Sequence, residues 1–225
     1  MHASSEPGRP LSGRQREARS NDLAVLAAAR EVFSAQGHGA SMADIARHAG
    51  VGIGSIYRRY PTKQDLVGAL HLQGVREAGL LVHAVADECA AAAQAARGGE
   101  PSGAVATFLS RQITGATGPI LRPPDVGRLI DEELAAASED LRSGLERLIA
   151  HDRALRLIPE GFTAADVMQL LLHLRPPLPG PRAHADALHL RYLQWVVRGL
   201  RELARADTAL TDSPEWDEWM GYWRD

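Results

Sequence analysis

A chain of 225 residues, 45% of them hydrophobic, has room for one or two domains and is too apolar to be wholly disordered. One cysteine, Cys89, cannot build a disulfide framework; no stretch approaches the ~18 uninterrupted apolar residues of a membrane helix, and the first twenty residues lack the apolar centre of a signal peptide, so a cytoplasmic protein that enters no membrane is expected. The formal charge of -3 combines nine basic and six acidic residues in the first seventy with sixteen and twenty-two in the rest, which excludes a uniformly basic nucleic-acid coat and puts any DNA affinity in the N-terminal third.

Residues 1 to 20 mix Pro, Gly and Ser with Arg9, Arg14, Arg16 and Arg19 and read as a disordered arm, its arginines suited to an adjacent minor groove. Asn21 then reads as an N-cap with Asp22 in the first turn. Leu26, Ala29 and Phe33 mark the buried stripe of the helix that follows, which ends near Gly37 to Gly39.

The stretch Ser41 to Lys63 has the form of a helix-turn-helix. Ser41 with Asp44 makes an acidic capping box, and Ile45, Ala46 and Ala49 give one buried stripe. Gly50 stands where the helix must stop, because a left-handed backbone costs glycine no Cβ clash. From Gly52 to Tyr57 a second helix restarts with a small outer face, which lets it approach base edges closely. Pro61-Thr62-Lys63 opens a further helix capped by Thr62 with Asp65.

At Phe33, Gly37, Ile45-Ala46, Ala49-Gly50-Val51, Gly54, Tyr57, Lys63 and Leu66 together, the string Val25 to Leu70 resembles the DNA-binding domain of the tetracycline-repressor (TetR) family of bacterial regulators. Gly52 departs from the family, which usually has a Ser or Thr cap there. The resemblance implies that the N-terminal half of the second helix enters the major groove, which makes Gly52, Ile53, Gly54, Ser55, Tyr57 and Arg59 the matching positions. By chemistry, Ser55 suits a base edge or phosphate, Ile53 a thymine methyl, Arg59 a guanine or the backbone, and Tyr57 a phosphate. Ser41 and Lys63, at helix starts, are expected to hold phosphates without reading sequence. Lys63 is the sole lysine among 25 basic residues.

Beyond residue 70 there is no strand signal. Helical stretches are predicted over 71 to 96, 102 to 117, 123 to 137, 139 to 157, from Thr163 past Leu174, and over 183 to 206, with breaks at Gly98 to Pro101, Gly118-Pro119, Pro159 to Gly161 and the proline-rich loop 175 to 181. Val167, Leu171 and Leu174 form one stripe, with Met168 and Leu172 beside it. The last long helix carries two: Leu188, Tyr192, Trp195, Val196, Gly199 and Leu203, and Leu190, Leu193, Val197, Leu200 and Ala204. A helix apolar on two sides must be covered on both, so Val167, Leu171, Leu174, Tyr192, Trp195, Val196, Gly199 and Leu203 are expected to join two copies in a four-helix bundle.

The family further implies a ligand-binding domain here, for which His83, Phe108, Gln112, Leu145 and Ile149 are the candidate pocket residues. Gly50 to Ser55 lacks the strand and the Gly-Lys-Ser/Thr of a phosphate loop, the histidines are scattered, and no nucleophile-base pair emerges. No catalytic residue, metal or cofactor is therefore expected.

The expectation is an all-α protein with an arm over 1 to 20, a helix-turn-helix domain over 21 to 70 and a helical ligand-binding and dimerisation domain over 71 to 225. It would bind a palindromic DNA operator as a homodimer and be released by a small effector, as a repressor. A ligand-independent DNA-binding protein of the same fold and a small helical enzyme remain the alternatives.

Overall fold

A computed structural model describes residues 13–95, 103–115, 132–176 and 178–221, with side chains from residue 22 onward except at 38 and 93–95. Among these residues there are helices and connections and no strand. The chain divides into two compact units, one ending at Leu66 and the other beginning at Val67.

The first unit contains α1 (Gly13–Gln36), a 3-10 turn over Gly37–Gly39, α2 (Met42–Ala49) and α3 (Ile53–Arg59). On α1, Val25, Leu26, Ala28, Ala29, Val32 and Phe33 recur at the three- and four-residue intervals of a single helical face, and all are buried. That face packs on α2, whose Met42, Ile45 and Ala46 are buried in turn, and α2 packs on α3. The helix starts at Gly13, well before the cap expected at Asn21. Of the arm expected over 1 to 20, residues 13–20 are therefore helical, and residues 1–12, with Arg9, lie outside the described residues. Ser20-Asn21-Asp22 resembles a cap, but the residues before it continue the helix.

The helix α4 (Lys63–Ala95) runs without a break at residue 71. The second unit continues with α5 (Ala104–Gly115), α6 (Glu132–Ala154), α7 (Ala164–Leu174), α8 (Arg182–Arg205) and α9 (Trp216–Gly221). The break expected near Ser138 is absent: Ser138 is buried within α6, and the part of the expected stretch before residue 132 lies outside the described residues.

The main core of this unit combines Val82 and Val85 from α4, Phe108 and Leu109 from α5, Leu145 and Leu148 from α6, Val167 and Leu171 from α7, and Leu193 from α8. The helix α5 lies at its centre, in contact with α6, α7 and α8. Gly144 lets α6 come close to α4, since a Cβ there would stand 2.2 Å from Val82 Cγ1.

The double apolar character of α7 is satisfied inside the protomer, which corrects one expectation. Val167, Leu171 and Leu174 are buried in the unit's own core. On the other side, Ala165, Met168 and Leu172 meet Trp216, Trp219 and Met220 of the C-terminal segment. Trp219 also donates Nε1–H to Gln169 Oε1 at 3.3 Å. Val167, Leu171 and Leu174 are thus covered by the protomer's own helices, and Met168 and Leu172 by indoles some fifty residues downstream.

Candidate nucleic-acid interface

The site is built on two caps and a glycine. The Asp44 amide donates to Ser41 Oγ at 3.1 Å, the Ser41 amide donates to Asp44 Oδ2 at 3.3 Å, and the Ser41 hydroxyl donates to the same oxygen at 2.6 Å. This reciprocal box fixes the start of α2. Arg47, one turn on, also pairs with Asp44. These contacts, the Ser41 hydroxyl first and Arg47 next, hold the Asp44 carboxyl below the usual range. The helix ends at Gly50, whose φ of +68° is the left-handed conformation expected of it.

The helix α3 begins at Gly52 without a side-chain cap. Two residues one turn apart hold it down: Ile56 is 1% exposed and Tyr60 7%. Burial pushes the Tyr60 phenol up, with the Asp22 charge acting in the same direction. The opposite face projects outward. Ile53 is 44% exposed and Tyr57 47%, an arrangement that hydrophobic burial alone does not produce. Gly52, Gly54, Ser55, Arg58 and Arg59 are exposed beside them.

Three of the expected contact residues already have partners within this unit. Arg59 pairs with Asp22 of α1 at 3.1 Å. Ser41 turns both its amide and its hydroxyl toward Asp44, leaving only oxygen lone pairs, and a phosphate needs donors. The Lys63 ammonium stands 5.4 Å from the Phe33 ring centroid. Lys63 also opens α4 beside a second reciprocal cap, in which the Thr62 amide donates to Asp65 Oδ2 at 2.8 Å and the Asp65 amide to Thr62 Oγ1 at 3.1 Å. Arg58 was not singled out in the sequence, although the pair Arg58-Arg59 directly after Tyr57 was the available signal; it is exposed on the last turn of α3.

In the second unit the expected pocket residues divide between the core and its edge. Phe108, Leu145 and Ile149 are packed in the core, and Gln112 is buried with them on α5. His83 lies at the surface, 3.2 Å from Asp140 Oδ1 and 3.1 Å from an Arg147 guanidinium nitrogen. A groove of about 650 Å³ lies elsewhere, between α5 and α8.

The helix α8 resolves its two stripes clearly. Leu190, Leu193, Val197 and Leu200 pack on the core. Tyr192, Trp195 and Gly199 face outward, with Val196 and Leu203 partly covered between the two sides. The Tyr192 and Trp195 rings meet edge to face at 5.3 Å, and the Arg191 guanidinium stacks 5.1 Å from the Trp195 centroid.

Residues 25–70 match a family model described as bacterial regulatory proteins, tetR family. No curated protein is similar enough to match. Among solved structures, the chain is similar to a TetR transcription regulatory protein from Mycobacterium vanbaalenii, at 29% identity over 84% of this chain and 99% of that one, with a TM-score of 0.54. It is also similar to a TetR transcriptional regulator from Streptomyces coelicolor, at 25% identity over 80% of this chain and 98% of that one, with a TM-score of 0.46.

Proposed function

The chain belongs to the TetR family of bacterial transcriptional regulators, and from that premise we propose that it is a homodimeric repressor whose α3 helices read an operator and whose C-terminal unit releases it on binding a small molecule. The observation that carries this reading is the pair Ile53 and Tyr57, exposed on one face of a helix anchored by Ile56 and Tyr60 on the other. In the major groove, Ile53 packs on a thymine methyl, Ser55 bonds a base edge or a phosphate, and Tyr57 gives its phenol to a phosphate. Gly52 and Gly54 keep the helix surface low enough for close approach. Arg59 exchanges Asp22 for the DNA backbone or a guanine, and Arg58 adds a phosphate contact. Lys63 supplies a sequence-independent positive charge. Ser41 contributes by fixing the start of α2.

A dimer is needed for the geometry. Successive major grooves on one side of B-DNA lie about 34 to 36 Å apart, so two recognition helices must be held at that spacing. The outward face of α8, with Tyr192, Trp195, Gly199 and Leu203, is the surface that brings the copies together. A ligand favouring another spacing shifts the population by its differential affinity for the two forms.

Footprinting on DNA flanking the protein's own gene tests the reading. A protected, two-fold symmetric site is expected, with protection lost in an Ile53→Ala, Tyr57→Ala double variant that stays folded. Protection by that variant equal to the wild type would contradict it.

A further inference from the structure

The groove between α5 and α8 contains an arrangement of charge that the packing of the fold does not require. Its floor is apolar, with Ala106 from α5 and Leu190, Leu193 and Val197 from α8. Its rim on α8 is a stripe of arginines, Arg198, Arg201 and Arg205, facing Arg111 of α5. This side of α8 is separate from the Tyr192 and Trp195 face, because residues 194, 198, 201 and 205 fall together at helical spacing while 192, 195 and 199 fall on the other flank of the core stripe.

Most of the arginine charge is accounted for. Glu88 holds Arg111 through both of its oxygens, at 2.9 and 2.6 Å. Glu202 holds Arg205 at 2.8 Å. Arg201 lies in the field of Asp152, but that carboxylate is already committed to the Ala104 and Val105 amides. The Arg201 Nε is buried and meets no acceptor among the described residues. Arg198 is exposed on the rim. The groove hydroxyls are already donating, Ser110 to the Ala106 carbonyl at 2.7 Å and Thr114 to the Ser110 carbonyl at 3.0 Å. The available donors are thus concentrated at Arg198 and Arg201, beside an apolar floor, in a volume of the size that small ligands fill.

We infer that this groove binds an amphiphilic monocarboxylate, its headgroup on Arg198 and Arg201 and its apolar body along Ala106, Leu193 and Val197. Guanidinium forks match carboxylates in geometry, and their aliphatic stems extend the apolar floor. After the pairing of Arg111 and Arg205, the remaining positive charge matches one anion better than several. The inference rests on the reading of the second unit as effector-binding.

The test is calorimetric titration of the full chain with octanoate, octanol and octylamine, which share a body and differ in headgroup. Octanoate is expected to bind and the other two are not. An Arg198→Gln, Arg201→Gln double variant should weaken octanoate roughly tenfold or more, and Arg142→Gln, on α6 and outside the groove, should leave it unchanged. Arg198→Gln alone, at an exposed position, should weaken it several-fold and covers the case in which the double variant does not fold. Octanol binding as well as octanoate, or undiminished octanoate binding by folded Arg198 variants, overturns the site. DNA affinity measured in parallel separates the two readings. Octanoate binding that leaves DNA affinity unchanged supports the groove and counts against effector release; release by a compound that does not compete with octanoate supports release and overturns this groove as its site.

Discussion

Asp152 on α6 accepts the backbone amide of Ala104 at 2.7 Å, capping helix α5 from 48 residues away. Its second oxygen takes the Val105 amide at 3.0 Å, and the side chain is 1% exposed. Burial pushes this carboxyl up while the two amides hold it down. Asp152→Ala leaves two buried donors unpaired, at about 1 to 3 kcal/mol for each such group. The expected loss is roughly 2 to 6 kcal/mol in urea unfolding, with Asp152→Asn retaining one acceptor and losing less. An alanine variant within about 0.5 kcal/mol of wild type, the range of an ordinary surface change, would show that the cap is not structural.

The capping box of α2 gives the first unit a pH dependence of known sign. The Asp44 carboxyl lies below its ordinary value of 3.8 in the folded chain, so the stability it contributes is present above that value and lost as pH falls through the depressed one. Asp44→Asn should therefore lower stability at neutral pH, and its difference from wild type should close in acid. Circular-dichroism melts across the acid range measure this. A difference that stays constant with pH would mean that the ionised carboxylate does not stabilise the cap.

Trp195 and Tyr192 are 56% and 48% exposed, large apolar surfaces with no function in the protomer core. A Trp195→Glu, Tyr192→Glu variant should keep its fold and sediment as a monomer at micromolar concentration, where the wild type is expected to sediment as a dimer. Its DNA affinity should fall with it, because half-sites are then bound singly. A dimer that survives both changes would move the interface away from this face.

Lys63 and Ile53 separate positioning from reading. Lys63→Ala should weaken binding about equally on all sequences and reduce the salt slope by about 1. Ile53→Ala should instead relax preference at one base pair, at about 1 to 3 kcal/mol of discrimination. Anisotropy titrations at several salt concentrations on matched and mismatched duplexes distinguish the two. A change of preference on removing Lys63 would mean that the ammonium approaches a base edge.

Local signals made the N-terminal unit legible. Ser41 with Asp44 and the left-handed Gly50 are decided by neighbours three or four residues apart, and the structure has each in the conformation that the spacing implies. The beginning of α1 was not legible, because the residues before Asn21 show no apolar stripe and a capping triplet follows them. The second unit depends on distant partners. Nothing near Met168 and Leu172 in sequence announces Trp216 and Trp219, so a helix covered within its own chain read as one awaiting a second copy. Phe108, Leu145 and Ile149 are pocket candidates only through the family resemblance, and their burial among residues of α4 to α8 depends on contacts that no local pattern announces. Arg198, Arg201 and Arg205 read locally as the solvated side of an amphipathic helix, and only the packing of α5, with Arg111, makes a groove of them.

Whether the outer face of α3 reads DNA is decided by in vitro selection from random duplexes, with the wild type and a folded Ile53→Ala, Tyr57→Ala variant run side by side. The wild type is expected to enrich a two-fold symmetric sequence with half-sites one or more helical turns apart, and the variant to enrich nothing. Enrichment of the same sequence by both proteins, or of none by the wild type, would contradict it.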